Sequence, residues 1–147
     1  VEKVGQILKK HGKKLNFVYH HFQAAQNHFH AGLLAQAAEA AAAQGKYWEM
    51  HIALFENQRK LDEKSAKEVI DTVMSIAGDL KLDMLKFRAD LDSEATRRAV
   101  EASMRLGTQV GIQATPSFIL VNPQGKGTAI KVTEDVVAYL DNPRNWK

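Results

Sequence analysis

Helical periodicity fills the middle of this chain and stops at Gly111-Ile-Gln-Ala-Thr-Pro-Ser117, where the pattern becomes that of strands. Residues 117–121 read Ser-Phe-Ile-Leu-Val, a short run rich in branched and aromatic side chains. Asn122-Pro-Gln-Gly125 supplies a turn and residues 128–132 return, so the spacing predicts a β-hairpin. A last helix is expected over 134–140, capped by Thr133 and ended by Asn142-Pro143. A hairpin placed after a long helical block makes the chain mixed α/β rather than a helical bundle.

Upstream, residues 1–11 predict a helix with Val1, Val4, Ile7 and Leu8 on one face and Gly12 as its stop. Leu15-Asn-Phe-Val-Tyr-His20 predicts a short buried strand. Residues 31–43 are dominated by alanine, a strong helix former whose small side chain lets neighbouring elements approach closely. Gly45 breaks that helix. Residues 47–55 predict the next one, with Tyr47, Met50, Leu54 and Trp48, Ile52, Phe55 forming a broad apolar face expected in the core. Further helices are expected over 63–78, with Ala66, Val69, Ile70, Val73, Met74 and Ala77 inward, and over 83–91. Another starts at a Ser93 cap and runs to about Val110, with Ala99, Val100, Met104 and Leu106 inward. No repeat or linker interrupts the order. The expected architecture is one α/β domain in which 29–110 is a helical insertion between β portions at 1–28 and 111–147.

The 147 residues suffice for a core without covalent staples. Their longest apolar runs fall short of the ~18 residues a membrane span requires. Twenty Lys and Arg stand against seventeen Asp and Glu, a net charge of +3 with pI near 9.1. Along the sequence the two signs are interleaved, which argues against a nucleic-acid face. Cysteine is absent, so these residues supply no disulfide, thiolate ligand or thiol nucleophile. The first residues carry no signal-peptide pattern and no initiator Met, and they read as the inside of a helix, so an upstream segment is expected.

Three stretches, in this order and together covering nearly the whole chain, resemble the DsbA-like branch of the thioredoxin superfamily. The first is Phe17-Val-Tyr-His-His-Phe22, similar to a strand ending in a histidine-rich turn. The second runs from His30-Ala-Gly-Leu-Leu through Gly45-Lys-Tyr-Trp-Glu-Met-His51 to Leu54-Phe-Glu-Asn-Gln58, similar to the helical-insertion signature. The third, 111–121, is similar to the cis-proline loop and its strand. Gln23-Ala24 departs from the Pro-Leu pair common in that branch. The resemblance implies a thioredoxin-like core whose central strand and Cys-x-x-Cys pair would precede residue 1. Without that strand, the 15–20 and 117–121 strands would flank a slot of about 10 Å, twice the usual strand spacing. Three remedies follow: an upstream segment, which is favoured, a strand lent by another copy in an exchanged homodimer, or closure of the flanks.

The resemblance implies thiol–disulfide exchange outside the cytoplasm, on an extended polypeptide docked at Ala114, Thr115 and Pro116. No catalytic residue and no cofactor is expected within the chain. From the residues alone, Thr115-Pro116 reads as a trans turn before a strand; the resemblance implies the cis form. The alternative function is a non-catalytic peptide-binding module. A third reading is a histidine metal site, because His20, His21, His28 and His30 fall within eleven positions. No Asp or Glu lies between Val4 and Ala38, so supporting carboxylates would have to come from distant segments, and a loop-ordering cluster is the better reading. Asp90, Asp92 and Glu94 read as helix caps, and Gly125-Lys-Gly127 as part of the hairpin turn.

Overall fold

The structure, a computed structural model, describes residues 2–23, 29–130 and 135–146. Two compact units form, one from 1–19 with 112–147 and the other from 20–111.

The second unit is helical: α2 (Ala31–Ala42), α3 (Tyr47–Glu56), α4 (Gln58–Asp62), α5 (Ala66–Asp79), α6 (Met84–Leu91) and α7 (Glu94–Gln109), after α1 (Glu2–His11) in the first unit. Alanine explains its centre. Ala37, Ala38, Ala40 and Ala41 are buried on α2, and their methyl groups let α3, α6 and α7 pack against it closely. Around them Met50, Leu61, Val69, Val73 and Phe87 are fully buried. Local chemistry sets the helix ends. Gly45 takes φ +72°, while Gly45 N–H and Lys46 N–H bond the Ala42 and Ala41 carbonyls and stop α2. Ser65 and Glu68 form a reciprocal capping box at α5. Ser93 caps α7 by accepting from Thr96 N–H at 3.2 Å. The short α4 has no counterpart in the sequence reading, since five residues are too few to show a helical period.

The first unit holds α1, β1 (Phe118–Val121), β2 (Gly127–Ile130), α8 (Val136–Asp141) and a 3-10 turn at Pro143–Trp146. The strands pair antiparallel, with Phe118 opposite Ile130 and Val121 opposite Gly127. Gly125 turns the hairpin at φ +81°, and the Asn122 side chain accepts from Gln124 and Lys126 N–H. Strand alternation sends Phe118 and Leu120 toward the core of Ile7, Ile130, Val136 and Leu140 and leaves Ile119 and Val121 exposed.

Several expectations are corrected. Residues 15–20 join no strand of the sheet among the described residues, which contains β1 and β2 alone. They do alternate between half-buried (Leu15, Phe17, Tyr19) and exposed (Asn16, Val18, His20), the two-residue burial period of a strand. The last helix is capped by Asp135, whose carboxylate accepts from Val137 and Ala138 N–H, and it starts at Val136. The expected cap Thr133, with Glu134 and the end of the returning strand at 131–132, lies outside the described residues. Trp48, Ile52 and Phe55 are about 40% exposed, as are Ile70, Leu106 and Leu8, so the buried faces of these helices are narrower than their apolar pattern.

Candidate functional site

After α7 the chain turns at Gly111, φ +77°, and enters the first unit through 112–117. The Thr115-Pro116 peptide bond is cis. Ala114, Thr115, Pro116 and Ser117 are all exposed. Ser117 Oγ donates to the Ala114 carbonyl at 2.6 Å, closing the loop where β1 begins. Thr115 is exposed and makes no hydrogen bond among the described residues. Beyond the loop, β1 pairs with β2 and with no other strand among the described residues. A loop of this kind, leading into a strand that pairs on one side only among the described residues, is a geometry to which an extended chain can add by main-chain pairing. The Ser117 hydroxyl donates its proton to the Ala114 carbonyl rather than to a basic side chain.

The histidines separate. His21 is buried in the helical unit, its Nε2 3.0 Å from Glu39 Oε1 and 3.3 Å from Tyr47 Oη. His30 Nε2 lies 3.0 Å from the Lys64 carbonyl. His20 is exposed, and His28 lies outside the described residues. Among the described residues no three histidine or carboxylate groups gather as a metal would require. Glu39 does provide the carboxylate that neighbouring sequence lacks, but it holds one histidine rather than a ligand set.

A titratable group that the sequence reading passed over stands close by. His51 is 7% exposed on α3, stacked on Tyr47 at 5.8 Å, with Phe55 at 4.8 Å and Trp48 edge-on at 5.5 Å. Burial, assisted by the charge of His21, lowers its pKa from 6.5 to about 4. The signal was present in the sequence, since Tyr47, His51 and Phe55 recur every four residues on one stripe. Elsewhere Asp90 pairs with Lys86 and Asp92 with Arg97, both at helix ends. Those acids serve the helices.

A sequence profile of the thioredoxin family matches residues 1–141. Over 117 residues the chain is 32% identical to a Na(+)/H(+) antiporter NhaA of Herminiimonas arsenicoxydans, covering 80% of this chain and 17% of that protein. The antiporter NhaA of Nitrosospira multiformis is 27% identical over 120 residues, 81% of this chain and 18% of the relative. A ClpXP adapter protein SpxH of Bacillus licheniformis is 25% identical over 84 residues, 57% of this chain and 26% of the adapter. The chain therefore spans less than a fifth of the antiporters it resembles and about a quarter of the adapter. No helix among the described residues is long and apolar enough to cross a membrane. With the profile running through α1, the helical block, the Thr115-Pro116 loop and the hairpin, the chain belongs to the thioredoxin family, as a mostly helical α/β domain of that fold.

Proposed function

We propose that this chain is the substrate-docking body of a DsbA-like module, with 29–110 as the helical insertion and 1–28 with 111–147 as the core. Its family chemistry is thiol–disulfide exchange, and the thiols come from residues outside these 147, since none of these is cysteine. Ala114, Thr115 and Pro116 bind an extended polypeptide through main-chain hydrogen bonds. The observation that carries this reading is that Thr115 is exposed and makes no hydrogen bond among the described residues, at the entrance to a strand that pairs there with β2 alone. The likeness to antiporters of much greater length favours a module joined to a membrane protein and facing the extracytoplasmic side, where disulfides persist.

Amide NMR tests the docking role. An extended, reduced peptide is expected to shift the Thr115 N–H resonance and to slow its exchange about tenfold or more, because an unpaired amide becomes paired. Shifts confined to residues 20–111, with Thr115 unmoved, would overturn the reading. An insulin-reduction assay on the longer natural product separates exchange from mere binding. Activity supports the oxidoreductase. No turnover, with Thr115 still protected by peptide, supports the non-catalytic peptide-binding module instead.

A further inference from the structure

The net charge of +3 conceals a division between the two units. Residues 1–19 with 112–147 carry nine Lys and Arg against four Asp and Glu, a net of +5. Residues 20–111 carry eleven against thirteen, a net of −2. The excess is concentrated on α1 and the turn after it, where Lys3, Lys9, Lys10, Lys13 and Lys14 are exposed. Lys3 and Lys10 lie two helical turns apart on one stripe, and Lys9 projects about 100° round the helix from Lys10. Lys10 pairs with Asp141; the other four have no carboxylate partner among the described residues. The helix dipole explains lysines in the last turn, where the carbonyl end attracts cations. It does not explain Lys3, which stands at the positive end.

Of these lysines, Lys9 and Lys10 border a groove of about 470 Å³ between α1 and α8, lined also by Gln6 and Val137. Lysine presents an aliphatic stem below its ammonium, so the groove combines a cationic rim with an apolar lining. A soluble polyanion would use the rim alone. A phospholipid uses both, its phosphate at the ammonium groups and its glycerol and upper acyl carbons beside Val137. We propose that this side of the first unit docks on the anionic phospholipid headgroups of a bilayer. The inference goes beyond polypeptide docking at Thr115 and needs only the fold of the first unit.

Co-sedimentation of the 147-residue chain tests it, using vesicles of phosphatidylcholine alone and of phosphatidylcholine with phosphatidylglycerol in equal parts. Binding is expected to the mixed vesicles only and to weaken as salt rises. Each lysine near an anionic surface contributes about fivefold in affinity, so the double variant K9E/K13E is expected to bind about 25-fold more weakly or worse. The pair K60E/K67E makes the same charge change in the helical unit and is expected to keep nearly all binding. Val137→Ser is expected to weaken vesicle binding while leaving retention on a soluble polyanion, heparin, unchanged. Circular dichroism confirms that each variant is folded.

Equal binding to both vesicle types would overturn the proposal, as would equal losses in the two double variants. Insensitivity of vesicle binding to Val137→Ser would also reject it, since the surface would then be a general polyanion site. The assay contains neither thiol nor peptide, so its failure leaves the Thr115 reading standing, and the reverse holds too.

Discussion

At the scale of single residues, a histidine in an apolar site sets a pH limit on the helical unit. The His51 ring lies among Tyr47, Trp48 and Phe55, where the charged form loses its hydration. Its folded pKa of about 4 is below the ordinary 6.5, so between these values the unfolded chain holds a proton that the folded chain does not. Stability therefore falls as pH drops from about 6.5 toward 4, and His51 has no effect above that window. Denaturant titrations at stepped pH should show His51→Phe shallower in this window by up to one proton, with little difference at pH 8. Parallel pH profiles for the two proteins would show that His51 does not set the limit. This site was only half legible. The four-residue spacing of Tyr47, His51 and Phe55 was plain, yet burial of His51 and the reach of His21 to Glu39, eighteen positions away, depend on how the helices pack.

At the scale of elements, the helices were legible because periodicity and caps repeat over many residues, and the strand at 15–20 was not. Its alternation is real, yet among the described residues it joins neither β1 nor β2, and which strands pair is set by the fold rather than by local pattern. The cap observed on α8 is Asp135, which accepts from two N–H groups, while Thr133 lies outside the described residues. Gly107 on α7 carries a message the sequence hid. A Cβ built there would come within 2.3 Å of the Phe22 ring, so the glycine admits the aromatic edge against the helix. Two effects then compete in Gly107→Ala. Helix propensity gains up to about 1 kcal/mol, whereas forced displacement of a packed ring costs about 1–3 kcal/mol. The steric cost is expected to prevail, giving a net loss of about 1 kcal/mol in urea unfolding. A companion variant, Gly78→Ala on α5, meets nothing within 4 Å and should be neutral or stabilising. Should Gly107→Ala match Gly78→Ala, the Phe22 contact is not a constraint.

For the whole molecule, folding sorts what the linear sequence interleaves. Charges that alternate along the chain gather into one basic and one acidic unit, because α1 and the hairpin come together while 20–111 forms its own core. The cores differ in the same way. Among the described residues, fourteen buried side chains, from Ala37 to Leu91, form the helical one, and four (Ile7, Ile130, Val136 and Leu140) form the other. Apolar burial is the main stabilising term, so the unit that holds α1 and the hairpin is expected to be the less stable one. Its single described ladder has an open edge, which adds to the difference. Native-state hydrogen exchange should therefore find amides of Val69 and Val73 on α5 protected about a hundredfold more than those of Leu120 and Thr128 in the hairpin. An extended ligand that pairs with Thr115 would raise hairpin protection and leave α5 unchanged, because a ligand stabilises what it binds. Hairpin amides that exchange as slowly as those of α5 without ligand would mean that both units open together, and that the small core is supported by the large one.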